Sequence, residues 1–170
     1  MGASETIGSS TGARAVSASA FKDVIGRFAS GVAVITSRLG GQDYGLTASA
    51  VTSLSADPPM LLICVNRSST THGAIHASGQ FAVNVLSDQQ AELARHFARS
   101  AGSKFDGVGY TVGHSGVPLI IGALAVLECR VDKIVTGGTH TVFLGKVVHL
   151  HSAEGLPLAY YRGVFGSFAG

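Results

Sequence analysis

The sequence predicts a mainly β fold, a small β-barrel of about six strands that carries short helices. Three observations lead to this class. Segments rich in β-branched residues are short and are bounded by glycine and proline, the residues that favour turns. Glycine accounts for 23 of the 170 residues, which is unusual for a helical bundle. Apolar residues make up 46% of the chain and charged residues only 13%, so one domain of this length can bury a full core.

The first half of the chain alternates between helical and β-type patterns. Apolar side chains at helical spacing predict a helix over Ala20–Ser30, which Gly31 ends. A second short helix is predicted over Ser69–Ser78, closed by Gly79. Between these helices lie three predicted strands, which are separated by a glycine turn and by a proline pair: Val32–Ser37, Tyr44–Leu54 and Met60–Asn66.

The second half of the chain is richer in strands. Ser87 and Gln90 have the spacing of a capping box, which predicts the start of a helix that runs to Ala98. The predicted strands of this half are Phe81–Leu86, Leu124–Val135, Thr139–Leu150 and Leu158–Tyr161. No repeat or second domain is evident. We therefore expect one domain over residues 20–170, preceded by a disordered leader over residues 1–19.

Charge and cysteine content exclude several classes of protein. The net charge is +2 without a basic cluster, so no nucleic-acid partner is expected. Cys64 and Cys129 lie in apolar runs without the spacing of a metal site or a disulfide framework, so both are expected to be buried and reduced. No signal peptide and no run long enough to cross a bilayer is present. We expect a cytoplasmic protein with no membrane or metal partner, and the low charge content favours self-association.

One predicted strand is polar where a strand is usually apolar. In the segment Gly45–Ser53, the hydroxyl residues Thr47, Ser49 and Ser53 share one face, because side chains alternate along a strand. Their small size would let a planar ligand approach the backbone, and their hydroxyls could bind its polar edge or a phosphate. An ordinary strand rich in Thr and Ser has the same pattern, so this segment alone leaves both interpretations open.

Two further polar segments lie at the ends of predicted elements. Asn66–Thr71 spans a strand-to-helix junction, where free N–H groups and the helix dipole favour an anion, although N-capping accounts for the same residues. Gly137–His140 is predicted to be a tight turn with a histidine at the start of the following strand. This histidine could be a catalytic group or a structural one. His149 and His151 are expected to face solvent. Nucleotide-binding glycine motifs and a nucleophile elbow are absent.

In their order and spacing, these segments resemble the flavin reductase family, the reductase components of two-component flavin-dependent monooxygenases. The resemblance covers nearly the whole chain, from Phe21 to Phe165. The segments that carry it are Phe28–Thr36, Gly45–Ala50, Ser53-Leu54-Ser55 with Pro58-Pro59, Cys64–Ser68, Ser78–Leu86, Lys104-Phe105, Gly137–His140 and Tyr161-Arg162-Gly163.

The resemblance implies a flavin-binding split barrel, a six-stranded Greek-key β-barrel with short flanking helices that works as a homodimer. It implies an NAD(P)H:flavin oxidoreductase that reduces FAD or FMN with NADH or NADPH and supplies the reduced flavin to a partner monooxygenase. Two alternatives use the same barrel. One is a flavin-binding or storage module without turnover, and the other is an enzyme like pyridoxamine-phosphate oxidase.

The resemblance also implies a set of flavin-binding residues. The isoalloxazine would lie against Gly45, Leu46, Thr47, Ala48, Ser49 and Ala50, with Ser53 further along the same strand. Cys64, Val65 and Asn66 would continue that wall. Thr70 and Thr71 would meet the phosphate region. The other side would be closed by His96, Phe97, Lys104 and Phe105.

The nicotinamide cofactor is expected at two places by the same resemblance. One is His140, which is the expected catalytic residue, and the other is the segment Tyr161, Arg162 and Gly163. Relatives often have Asp before this histidine, whereas this chain has Thr139. The substitution removes a carboxylate that would orient the ring.

Overall fold

A computed structural model describes residues 15–100 and 102–168. Most of the predicted leader, residues 1–14, lies outside the described residues. The first helix, α1, spans Ala18–Ile25, so it begins two residues before the predicted start and does not reach Ser30. Its start follows from Ser17, whose hydroxyl accepts a hydrogen bond from the N–H of Ala20. The other two helices match their predicted positions: α2 is Thr70–Ser78 and α3 is Ala91–Ala98, after a 3-10 turn at Asp88–Gln90.

The strands of the described residues are short except for one long hairpin. In chain order they are β1 Ser30–Gly31, β2 Ala33–Leu39, β3 Gln42–Ala48, β4 Val51–Ala56, β5 Pro59–Asn66, β6 Gln80–Val85, β7 Tyr110–Val112, β8 Pro118–Ile120, β9 Ala125–Gly137, β10 His140–Ser152, β11 Leu158–Tyr161 and β12 Val164–Ser167. The predicted strand Tyr44–Leu54 is divided by Ser49 and Ala50 into β3 and β4. The remaining predicted strands are present, with ends that differ by a few residues.

The main sheet joins its own two edges. Its seven strands have the order β3-β2-β6-β9-β10-β5-β4, so the edge strands β3 and β4 are neighbours in the chain. β3 pairs with β2, whereas β4 pairs with β5 at the opposite edge. Counted as one bent strand, β3 and β4 close the sheet into a six-stranded barrel with Greek-key connections. The expected mainly β fold is confirmed.

The barrel encloses one apolar core. Side chains from six strands meet in it, and Phe81, Phe143, Ile35 and Ile63 are each fully buried. A second cluster lies outside the barrel between α3 and the β1-β11-β12 sheet, around Phe97. Burial of these side chains is the main favourable term for the fold.

Four strands, β1, β7, β8 and β12, were not predicted, since tertiary contacts rather than local pattern hold them. The β7-β8 hairpin shows this clearly. Asn84, fully buried in β6, donates a hydrogen bond to the carbonyl of Val34 and accepts one from the N–H of Ile120 in β8. Thr36 donates to the carbonyl of Pro118 at 2.5 Å. These buried polar groups hold the β7-β8 hairpin against the barrel, although its own sequence pattern does not predict strands.

A buried carboxylate holds the turn between β7 and β8. Glu128 is 2% exposed and accepts hydrogen bonds from the N–H groups of His114 and Ser115. Burial alone would raise the pKa of Glu128, but these hydrogen bonds outweigh it and lower the pKa. Gly113 has no side chain here for a steric reason, because a Cβ would lie 2.7 Å from the Glu128 carboxylate.

None of the helices within residues 15–100 and 102–168 has the length and apolar character needed to span a membrane. The longest of them, α2, has nine residues.

Replacing Gly145 by Ala should destabilise the barrel, because a Cβ at this position of β10 would lie 2.6 Å from Phe81 Cζ and 3.0 Å from Cys129 Cβ. Overpacking of this kind costs about 1–3 kcal/mol in the free energy of unfolding. Gly166→Ala is the matched control, since nothing lies within 4 Å of a Cβ there. Denaturant unfolding followed by circular dichroism measures both variants. Equal midpoints for the two would contradict the packing described for the core.

Candidate functional site

A groove of about 500 Å³ lies where β3 ends and α2 begins. We call it the hydroxyl groove, after Ser49, Ser68, Ser69 and Thr70, which line it together with Asn66. The predicted site residues that line it are Leu46, Thr47, Ala48, Ser49, Ala50, Cys64, Asn66, Thr70, Phe97, Lys104 and His140. The fold therefore brings together residues from four separate parts of the sequence.

The wall of the hydroxyl groove is built from the bend between β3 and β4. Ser49 and Ala50 are exposed there, and the carbonyl of Ala50 accepts a hydrogen bond from the N–H of Cys64 at 3.1 Å. Thr47 has a different role from its neighbours, since its hydroxyl donates to the carbonyl of Ala94 at 2.6 Å. Thr47 thus fixes α3 against the barrel, and Ser49 presents its hydroxyl to the groove.

The next part of the groove is the start of α2. The Asn66 side-chain oxygen accepts hydrogen bonds from the N–H and the hydroxyl of Ser68, both at 2.9 Å. Ser69 is the N-cap, and its hydroxyl accepts from the N–H of Thr71. Ser69 therefore caps α2, as the N-capping interpretation predicts, and Asn66, Ser68 and Ser69 also line the groove. The N–H of Ser69 in turn donates to the carbonyl of Asn66 at 3.0 Å, so the capped helix start offers an anion mainly the positive end of its dipole.

The opposite side of the groove is formed by the end of α3 and the loop after it. Lys104 donates from Nζ to the carbonyl of Phe97 at 3.0 Å, and a ring nitrogen of His96 lies 3.0 Å from the carbonyl oxygen of Lys104. Burial lowers the pKa of Lys104. Gly45 is required beneath this side, because a Cβ would lie 2.5 Å from Phe97 Cε1. These contacts hold the cation and the aromatic ring in place.

His140 stands at the rim of the groove, at the start of β10. It follows the turn Gly138-Thr139 and pairs with Asn66 of β5. The hydroxyl of Thr139 lies 2.9 Å from Nδ1 of His140, and the Thr139 carbonyl accepts from the N–H of Arg67. A hydroxyl therefore orients the ring, at the position where the family resemblance leads one to expect a carboxylate.

A larger groove of about 1050 Å³ lies on the other side of the bend, and we call it the apolar groove. Ser49, Ala50 and Cys64 line both grooves, so the two meet there. Arg162 and Gly163 line the apolar groove and form the turn between β11 and β12, with φ angles of +49° and +86°. This pair of positive φ angles is that of a two-residue hairpin turn.

The predicted residues that line neither groove have other positions. Ser53 is exposed, Val65 and Thr71 are buried, and Tyr161 is 47% exposed on the far side of its hairpin. The rest support the groove from behind: Gly45, His96 and Phe105. Cys64, expected to be buried, is partly exposed at the junction, whereas Cys129 is fully buried and burial raises its pKa to about 12.

Sequence reasoning missed several groove residues. Ala98, Arg99 and Ser100 line the hydroxyl groove, and Tyr160 rather than Tyr161 lines the apolar groove. Residue 98 ends α3 and residues 99–100 directly follow it, a position that a helix boundary alone could have marked. The choice between Tyr160 and Tyr161 depends on the register of β11, which no local pattern in the sequence sets.

A family match identifies the chain. Residues 25–169 match the flavin reductase like domain, which is most of the sequence. The chain belongs to the flavin reductase family. The resemblance drawn from the sequence is thereby confirmed, and with it the expected class of enzyme, an NAD(P)H-dependent flavin reductase.

Individual members of the flavin reductase family are similar over most of their length. The reductase component of 4-nitrophenol 4-monooxygenase/4-nitrocatechol 2-monooxygenase from Rhodococcus opacus is 45% identical over 148 residues, which is 87% of this chain and 80% of that protein. FMN reductase (NADH) from Agrobacterium fabrum is 36% identical over 149 residues, 88% of this chain and 85% of that protein. The NADH:FAD oxidoreductase of Streptomyces globisporus, solved with NAD and FAD fragments, has a TM-score of 0.84 and 38% identity, covering 92% of this chain and 98% of that chain.

The residues of this flavin reductase fit a flavin in the hydroxyl groove. The groove volume falls in the range of small-ligand pockets, about 300–1,000 Å³. No described residue that lines the groove is acidic, and Arg99, Lys104 and the α2 N-terminus are cationic or positively polarised. Small residues along the bend allow close approach to the backbone. The groove thus favours a flat ligand with an anionic tail.

A third depression, of about 350 Å³, contains the stacked rings of His114 and His149, whose centroids are 4.4 Å apart, above Glu128. His149 and His151 are exposed, as expected for solvent-facing side chains. Among the residues that the structure describes, no three or more His, Cys, Asp or Glu side chains are arranged to hold a metal ion.

Replacing Ser49 by Leu should raise the KM for flavin about ten- to a hundredfold, because the larger side chain fills the wall of the groove and removes a polar contact. Ser53→Leu is the matched control, since Ser53 is exposed on the same stretch of chain and lines neither groove. Steady-state kinetics with varied FAD or FMN measures both variants. Equal flavin KM values for the two variants would contradict flavin binding in the hydroxyl groove.

Proposed function

We propose that this protein transfers a hydride from NADH or NADPH to FAD or FMN and releases the reduced flavin to a separate flavin-dependent monooxygenase in the cytoplasm. The observation that carries the proposal is the meeting of the two grooves at Ser49, Ala50 and Cys64. A flavin along the hydroxyl groove would present its ring at this junction. A nicotinamide entering from the apolar groove would then face that ring.

This arrangement suits the chemistry of the reaction. Hydride transfer requires the nicotinamide carbon and the flavin nitrogen to come within about 3–3.5 Å of each other, and positioning supplies most of the rate. The flavin accepts the hydride, and the protein residues bind and orient. A strong general acid or base is not needed, which agrees with a junction made of a hydroxyl, a thiol and backbone groups.

The two ends of the hydroxyl groove would have different tasks. The start of α2 would bind the flavin phosphate through the hydroxyl of Thr70 and the positive end of the helix dipole. His140, oriented by Thr139, would hydrogen-bond the carboxamide or a phosphate of the nicotinamide cofactor. Arg162 would meet the same cofactor from the apolar groove, where its side chain already contacts Asp23 at 3.5 Å.

The bound flavin would be a substrate rather than a fixed prosthetic group. The flavin-binding residues described here are short hydroxyl side chains, an amide and backbone groups, and both grooves open to solvent. Weak retention of this kind lets the reduced flavin leave for an oxygenase. Similar proteins that are the reductase component or subunit of a monooxygenase support this direction of transfer.

The test of the function uses purified protein with NADH, NADPH and free flavin. Loss of the reduced-nicotinamide absorbance that requires added flavin supports a reductase. Flavin binding without this loss would instead indicate a binding or storage module. Oxidation of pyridoxamine phosphate, with no use of NADH, would indicate the third activity that this barrel supports. Each of the last two results contradicts the proposed function.

We also propose that the protein is a homodimer. The helix α1 buries none of its residues, although Phe21, Val24 and Ile25 are apolar. Val24 is 67% exposed and Phe28, just after the helix, is 76% exposed. These side chains adjoin the apolar groove, which Ile25 and Phe28 help to line. A second copy of the chain is the partner that is always present at equal concentration to cover them.

Light scattering at micromolar concentration should therefore give twice the mass of one chain, with an interface of more than about 1,000 Å². Val24→Lys places a charge on the exposed face of α1 and should shift the equilibrium toward the monomer, because a buried unpaired charge is costly. A wild-type monomer under these conditions would contradict the homodimer.

His140→Ala should raise the KM for NADH about tenfold, or slow flavin reduction to a similar degree, as expected for the loss of one hydrogen bond to a charged group. Flavin affinity should stay near the wild-type value. Stopped-flow reduction of the flavin-loaded enzyme by NADH measures the effect.

Two variants of Thr139 serve as controls for the role of the His140 ring. Thr139→Ser keeps the hydroxyl 2.9 Å from His140 Nδ1 and should behave like wild type. Thr139→Val removes the hydroxyl and should show part of the His140→Ala defect. If flavin reduction by His140→Ala depends on the NADH concentration as it does in the wild type, the nicotinamide cofactor is bound by Arg162 and its neighbours instead.

A further inference from the structure

His72, which lines neither groove, connects two elements that carry residues of the hydroxyl groove, the helix α2 and the strand β10. His72 lies in the first turn of α2, three residues after the Ser69 N-cap. Its Nε2 atom is 2.9 Å from the hydroxyl of Thr141 in β10. Thr141 is 3% exposed, and the His72 ring also packs on Phe143, with centroids 5.4 Å apart. The contact is therefore part-buried, with Thr141 as its buried partner.

The two partners of this hydrogen bond are each adjacent to a groove residue. His72 belongs to the same helical turn as Thr70, which lines the phosphate end of the groove. Thr141 directly follows His140, which lines the rim. Within the described residues, this is the one hydrogen bond between a side chain of α2 and β10. The contact thus joins the first turn of α2 directly to the strand that carries His140, beyond the backbone pairing of Asn66 with His140.

We propose that His72 is a positioning residue for the hydroxyl groove, which it shapes by holding the N-terminal turn of α2 against Thr141. This inference rests on the proposed function, because it assumes that the helix start and His140 bind parts of the same substrate pair. His72 does not line the groove, so its effect on flavin must pass through the helix. A helix start that moves away from β10 takes Thr70 and the positive end of the helix dipole with it.

The surroundings of His72 keep its ring neutral. Burial lowers the pKa of His72, and the charges of His76 and Arg67 lower it further. His76 stacks on the same ring with centroids 6.1 Å apart. A neutral ring suits a hydrogen bond to a buried hydroxyl, because no charge has to be removed from water. His72 is thereby suited to a structural contact rather than to proton transfer.

A double-mutant cycle on the full chain tests the proposal. His72→Leu and Thr141→Val each remove one partner, and each should raise the KM for FMN or FAD about three- to tenfold while kcat changes less than twofold, since one neutral hydrogen bond is lost. The double variant should have the same KM as either single variant, because both remove the same contact. A KM that equals the product of the two single effects, or that stays at the wild-type value, would overturn the proposal.

Conservative variants separate positioning from loss of fold. His72→Gln reaches the same point with an amide nitrogen, and Thr141→Ser keeps the hydroxyl, so both should restore the wild-type KM for flavin. Gly73→Ala changes an exposed position of the same helix, where nothing lies within 4 Å of a Cβ, and should leave the KM unchanged. Failure of rescue in both conservative variants contradicts the proposal. Absence of flavin reduction in the wild type would instead contradict the proposed function itself.

Discussion

The barrel depends on one bend, at Ser49 and Ala50, where a single stretch of chain leaves one edge of the sheet and joins the other. The first half of this stretch pairs with β2 and the second half with β5, so both edges of the main sheet are satisfied. A strand that changes partner must expose its backbone at the point of change. The Ser49-Ala50 bend is therefore both the closure of the fold and the place where the two grooves meet.

The hydroxyl residues of the site divide into those that hold the protein together and those that face a ligand. Thr47 donates to a carbonyl of α3, Ser69 caps α2, and Thr139 orients the ring of His140. Their hydroxyls are engaged by the protein, and they fix the positions of the groups that remain. Ser49 instead stands exposed at the bend. Preorganisation of this kind lowers the ordering cost of binding, which suits a ligand that must also leave.

The hydroxyl groove selects for an anionic ligand with few charged side chains. The barrel interior is apolar, and cationic groups lie on the side of the hydroxyl groove away from the sheet, at Arg99 and Lys104. Lys104 is held by the carbonyl of Phe97, so its ammonium lies at a defined point. An anionic ligand gains from these two charges on one side of the groove. Orientation in this enzyme thus comes from shape and backbone groups more than from paired charges.

The sequence by itself determined the strand-rich fold, the hairpin turns and the family, because alternation, glycine turns and motif order are local features of a chain. It also placed residues 45–50 and 66–71 in one site, through the family resemblance. Only the tertiary structure decided that the strand around Ser49 divides and that Tyr160 faces a groove while Tyr161 does not. These features depend on the register between strands that are far apart in the chain, and a one-residue shift turns every side chain to the other face.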